Sequence, residues 1–361
     1  MTDTLSFFAE TVDQAHAGFR ASAQAAGLAI EEYTHPLAGP DGEPLATALG
    51  WTGPRHARRV VAVISGVHGV EGFAGAAIQR GWIERFASAP LPDDTAVLLL
   101  HLINPWGTAW SRRETEDNVD LFRNLAYPGP DYPRNALYER YEAGINPRSP
   151  AGPERAEADR VLAAFEAEHG RETVLATIRR GQHHYPKGMT FNGAGPTWSS
   201  RLVERIGREW LASAARVDVL DIHTGFGAPG DVLFIPAAPP GSALYARIER
   251  WFGGQLFRQG SDALIPAHPR APFDSWAAPP PGSRTICSIG VEFGTADTSD
   301  DLPLLRDFSA HANYGSLLSA EGTALRGRFR EKFYPSAPAW RERVLETGIA
   351  AIERVLRLAE P

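Results

Sequence analysis

Apolar residues recur along this chain in two rhythms. One is helical: residues 5–26 place apolar side chains at helical spacing and stop at Gly27, a natural helix C-cap. The other is the unbroken apolar run of a strand buried on both faces. "RRVVAVISG" (58–66), "DTAVLLLHLIN" (94–104), "VDVLDIH" (217–223) and "TICSIGVEFG" (285–294) are of this second kind. Residues 71–87 return to helical spacing, which makes a strand–helix–strand unit and predicts a parallel sheet covered by helices. Two shorter strands, near 28–34 and 44–51, flank the turn "AGPDGEP". Residues 151–180 are charged and helical, and helices close the chain near 303–325 and 337–358. Residues 125–150 and 181–198 read as excursions, the first rich in proline, glycine and tyrosine. Proline-rich stretches at 236–240 and 278–282 have core strands on both sides, so a single domain over 1–361 is expected.

Composition narrows the partners. Of 361 residues 43% are apolar, enough for a sizeable core, and 36 Lys and Arg against 43 Asp and Glu give a net charge of −7. That mild acidity argues against nucleic acid or an anionic membrane as partner. Cys287 is the one cysteine, so no internal disulfide forms, and its apolar surroundings mark it as a small buried hydrophobe. The N-terminus has no basic region followed by an apolar run, and no stretch reaches the roughly 20 apolar residues of a membrane span. A soluble cytoplasmic protein is the expectation; self-association is open.

Polar groups punctuate the ends of the apolar strands. "AVISGVH" delivers His68, with Glu71 just beyond; "VDVLDIH" delivers His223; "ICSIGVE" delivers Glu292. Ligand sites of open α/β sheets lie outside the carboxyl ends of the strands, so the four groups are placed to converge. His68, Glu71 and His223 make a three-ligand set that leaves a position open for water, as catalytic zinc sites do. Glu292 is then free to act as general base towards a water acidified by the metal. Zinc, one per chain, suits these donors, though manganese or cobalt could occupy the same shell. Gly66, Gly69 and Gly72 are expected to let the backbone curl and to keep bulk from the metal. Each residue also has a plain reading: "GVHGVEG" could be only a strand-to-helix turn with Glu71 favouring the helix N-terminus. His101, within "LLLHLIN", reads as a core histidine. Asp221 either faces away from His223 or orients its imidazole.

Taken together, "GVHGVEG", "DIHTG" and "VEFGT" resemble the ligand and general-base motifs of the zinc carboxypeptidase superfamily, in that order and over nearly the whole chain. The chain looks most like a bacterial metallopeptidase-like branch of it. The resemblance implies a three-layer α/β/α sandwich around a central mixed, mostly parallel twisted sheet. "NPWGTAWSRRETEDNVDLFRN" is similar to the family's arginine-bearing loop. It implies Arg113 for polarising the scissile carbonyl, Arg112 as its less favoured partner, and Arg123 for gripping the substrate's carboxylate. A guanidinium suits both tasks because it stays charged and pairs two-to-two with a carboxylate. Two departures stand out: Phe122 where the family has an asparagine, and Trp276 with no tyrosine in the segment before the general base. The loop 181–198, with Tyr185, Asn192 and Trp198, is the expected replacement cap, and Tyr185 its substrate-binding candidate; His183 and His184 read as surface or rim residues. Asp120 is placed to brace the arginine loop.

The activity so implied is hydrolysis of an amide bond beside a carboxylate, in a peptide C-terminus or an N-acyl amino acid. A non-catalytic binding module that keeps the fold and metal is the competing class. A serine hydrolase is weaker, since no G-x-S-x-G elbow occurs and Ser65 lacks a matched acid and base.

Overall fold

The computed structural model describes residues 4–126, 134–257, 272–277, 283–295 and 301–358. Seven strands form one sheet: β1 (Ala29–Ala38), β2 (Pro44–Thr52), β3 (Arg59–Ser65), β4 (Thr95–His101), β5 (Arg216–Thr224), β6 (Val232–Pro236) and β7 (Thr285–Phe293), in the order β1-β2-β4-β3-β5-β7-β6. The four central strands β4, β3, β5 and β7 are parallel. These are the four unbroken apolar runs of the sequence. The sheet is therefore mixed: its parallel part is the centre, and β1, β2 and β6 are antiparallel additions at the two edges.

Alternate residues of β3 feed two cores, as the period-2 pleat requires. Val61 and Val63 pack with α1 (Val12–Ala25), α2 (Gly72–Phe86) and α12 (Pro338–Arg357). Val60, Ala62 and Ile64 pack on the opposite face with α8 (Trp198–Trp210) and with Trp276. This is the expected three-layer α/β/α arrangement. The region without a tyrosine is thus explained in part: Trp276 is wholly buried and donates its indole N–H to the Val203 carbonyl at 2.7 Å, so it is a core residue beneath α8.

Short helices α3 (Pro105–Ala109) and α4 (Leu121–Asn124) hold the arginine loop between them. The stretch expected as a loop excursion at 125–150 contains a helix, α5 (Ala136–Ile145); residues 127–133 of it lie outside the described residues. With α6 (Gly152–His169) and α7 (Arg171–Arg180) it forms a helical insert with its own small core around Tyr138, Phe165 and Ile178. Leu302, first residue of α10 (Leu302–Tyr314), joins that core. Helices α9 (Ala243–Phe252) and α11 (Ala320–Phe333) complete the described chain. Among the described residues no helix is long and apolar enough to cross a membrane.

Candidate metal centre

The site begins where β3 ends. Gly66 leaves the strand at φ +77°, a left-handed conformation that glycine adopts without steric cost, and the chain turns to deliver His68. Gly69 is bare for a different reason than expected. A Cβ there would lie 2.1 Å from the Gly107 carbonyl carbon, so it makes room for α3, not for a metal. The Gly69 and Val70 N–H groups donate to the carbonyls of Arg113 and Arg112, at 3.1 and 2.8 Å. This backbone lacing sets the arginine loop beside the ligand turn.

Glu71 lies at the centre. His68 Nδ1 stands 2.9 Å from its Oε1 and His223 Nδ1 stands 3.1 Å from its Oε2. The Thr224 N–H also donates to Oε2, at 3.1 Å. One donor atom from each of His68, Glu71 and His223 falls within a mutual 4.8 Å. Ligands about 2.0–2.2 Å from a tetrahedral zinc would stand roughly 3.4 Å apart, so small side-chain movements suffice. The far nitrogens are held by carboxylates: Asp221 Oδ2 lies 2.8 Å from His223 Nε2, and Asp120 Oδ1 lies 3.5 Å from His68 Nε2. Asp221 therefore orients the imidazole, as alternate residues of a strand share one face. The donor set, its burial and its flanking carboxylates fit one divalent ion.

The electrostatics agree. Burial opposes the charge on Glu71, but His68, His223 and Arg113 outweigh it and hold the carboxyl well below its ordinary range. Asp120 is held low against burial by Arg123 and His68. For His223 burial favours the neutral ring, yet Asp221 and Glu71 raise its proton affinity well above the usual value. Carboxylates face both imidazoles, with the Arg113 guanidinium also beside His68.

Glu292 stands next to His223, because the parallel register of β5 and β7 pairs these two positions. Its Oε1 accepts the Phe226 N–H at 2.9 Å. Burial, and then the charge of Glu71, push its carboxyl up to about 7.

All four residues line a cavity of about 270 Å³, together with Arg112, Arg113, Phe122, Arg123 and Arg179. Arg113 Nε donates to Glu71 Oε1 at 3.3 Å, and its Nη2 lies 3.0 Å from His68 Nδ1. Arg112 is buried, donates to Asn118 Oδ1 and lies against the Trp106 ring. Arg123 forms an ion pair with Asp120 and donates to the Arg179 carbonyl. Phe122, in place of a polar residue, sets its ring edge-on to His223 with centroids 5.7 Å apart.

The loop 181–198 reaches the cavity through Met189 and Thr190, not through the aromatic residues singled out in the sequence. Tyr185 packs on Tyr138 at 6.1 Å, Trp198 on His35 at 4.7 Å, and Asn192 faces His183; none of the three lines the cavity. His183 is buried within the loop, facing the Gly193 carbonyl at 2.9 Å, rather than on the surface. Sequence reasoning missed Arg179; its signal, a basic residue closing an amphipathic helix, is too common to single out.

The fold and the His–Glu–His cluster define an α/β protein with three side chains that could hold a metal ion at the rim of its parallel strands. The chain belongs to the family described as protein of unknown function DUF2817, whose profile matches residues 8–347. Among curated proteins none matches it. Similar solved structures include a protein of Shewanella amazonensis SB2B provisionally named a metallopeptidase, at 16% identity over 85% of this chain and 93% of that one, with a TM-score of 0.40. Carboxypeptidase A from Helicoverpa armigera shares 14% identity over 89% of this chain and 73% of that one, with a TM-score of 0.45. A metallo-carboxypeptidase from Burkholderia cenocepacia shares 12% over 95% and 68%, with a TM-score of 0.41.

Proposed function

We infer that this protein is a metal-dependent hydrolase that cleaves an amide bond beside a carboxylate, in a peptide C-terminus or an N-acyl amino acid. The observation that carries the reading is the placement of Glu292. A half-buried carboxylate outside the ligand set stands in register with His223, at the edge of a three-ligand cluster and inside a cavity. His68, Glu71 and His223 would hold the ion, with zinc favoured by donor type. When bound, it supplies Lewis acidity and acidifies water towards neutral pH.

The remaining work falls to the chain's own side chains. Glu292 takes the proton of the attacking water and passes it to the leaving amine. Arg113 donates to the carbonyl oxygen as negative charge develops there. Asp120 and Asp221 fix the imidazoles so that both Nδ1 atoms face Glu71. Phe122 covers His223 and keeps water from that side.

The test is Glu292→Gln on a panel pairing carboxypeptidase substrates with N-acyl amino acids, with zinc, manganese or cobalt supplied. The wild type should turn over at least one class, and the variant should keep its metal while losing about 10²–10⁴-fold in kcat. A wild type inactive on the whole panel with every metal, or a variant of undiminished rate, would contradict the reading. In the first case metal binding alone would favour a non-catalytic binding module.

A further inference from the structure

Four arginines line the cavity, and three are already committed. Arg112 is tied to Asn118, and Arg113 to Glu71. Arg123 has its Nη1 on Asp120 and its Nη2 on the carbonyl of Arg179. Its guanidinium is therefore a brace between the loop that carries Asp120 and the C-terminal end of α7, and it is poorly free to take a ligand. The residue it braces has the opposite character. Among the described residues the Arg179 guanidinium has neither an ion pair nor a hydrogen-bond acceptor. The one carboxylate acting on it, Asp301, pairs with Lys332 Nζ at 2.9 Å.

The surroundings of Arg179 differ from the metal centre. Leu175, Ile178 and Arg179, spaced i, i+3 and i+4 on α7, all face the cavity. Leu305 and Phe308 of α10 add to the cavity's apolar lining. A guanidinium at the edge of an apolar slot binds a carboxylate through two parallel N–H donors, and the slot takes the group attached to it.

We propose that Arg179, not Arg123, receives the substrate's carboxylate, and that the residue carrying it has a large apolar side chain. Arg123 acts through Arg179 as a positioning residue. This rests on the hydrolase reading for its kinetic arm only; its binding arm needs no turnover.

The kinetic arm compares wild type, Arg179→Gln and Arg179→Lys on an N-acyl-L-phenylalanine, its carboxamide, and the matching N-acylglycine. The wild type should prefer the free acid to the carboxamide and phenylalanine to glycine. Arg179→Gln should lose the preference for the acid by about 10²-fold, chiefly in KM, and Arg179→Lys should recover part of it. A preference undiminished in Arg179→Gln overturns the proposal, and a preference for glycine overturns its apolar half. The binding arm is calorimetry with N-acetyl-L-phenylalanine on the metal-loaded protein. Binding by the wild type that weakens about 10²-fold in Arg179→Gln supports it. Absent binding by the wild type, or equal binding by both, overturns it. Arg179-dependent binding in a wild type that hydrolyses nothing would remove the hydrolase reading and leave the carboxylate site standing.

Discussion

Glu71 meets both histidines through separate oxygens, and those contacts, with Arg113, offset the cost of burying its charge. The carboxylates behind the rings matter as much. Asp221 fixes which nitrogen of His223 faces the centre, so its loss should misorient a ligand without removing it. Asp221→Asn is expected to weaken zinc affinity about 10–100-fold, measured by competition with a chelating dye. An unchanged affinity would mean that Asp221 only satisfies a buried imidazole. His68, Glu71, His223 and Glu292 were legible in the sequence because each ends or follows an unbroken apolar run, where an ionisable group is costly to bury unless it meets a partner. Roles carried over to the arginines fared less evenly. Arg113 stands at the cluster, whereas Arg123 is consumed by Asp120, three residues earlier on the same short turn. Such a local pairing is invisible until the turn's geometry is known.

Among the elements, the central strands and α1, α2 and α12 follow from periodicity alone, since burial on one or both faces dictates the pattern. Strand β6 was not legible: five residues, "VLFIP", end on a proline, a composition equally at home in a loop. Helix α5 was hidden by the prolines, glycines and tyrosines around it. The packing of α1 on β4 has a consequence for stability. His101, the expected core histidine, is fully buried; its ring stacks on Phe19 at 4.4 Å and meets His16 edge-on at 4.9 Å. Burial, then Arg20, lower the His16 pKa to about 4 against the opposing pull of Glu32 and Asp13; burial and His16 lower that of His101 well below normal. A ring held neutral in the fold costs nothing above pH 6.5, where the ring of the unfolded chain is neutral too. As pH falls from 6.5 towards 4 the unfolded chain takes up a proton that the folded His16 refuses, and the fold loses about 1.4 kcal/mol per pH unit. Relative to His16→Leu, the wild type should therefore lose stability between pH 6.5 and 4, read as the difference in urea midpoints. Parallel curves for the two proteins would show that His16 is not held neutral.

Across the molecule, the sheet and the insert divide the labour. The rim of β3, β5 and β7 supplies the groups to which the proposed function assigns cation holding and proton transfer, whereas α7, α10 and α11 supply apolar lining and the spare guanidinium. The first half is written in strand ends and was readable; the second depends on how an insert folds back over the rim, which no local pattern encodes. Everything proposed for catalysis depends on the convergence of His68 and Glu71, just after β3, with His223 on β5. The direct measurement is the metal content of the purified protein by inductively coupled plasma mass spectrometry, with His223→Ala beside it. The account predicts one tightly held divalent transition metal per chain in the wild type and its loss in the variant. A wild type that binds none when zinc, manganese or cobalt is offered, or a variant that holds as much, would contradict it.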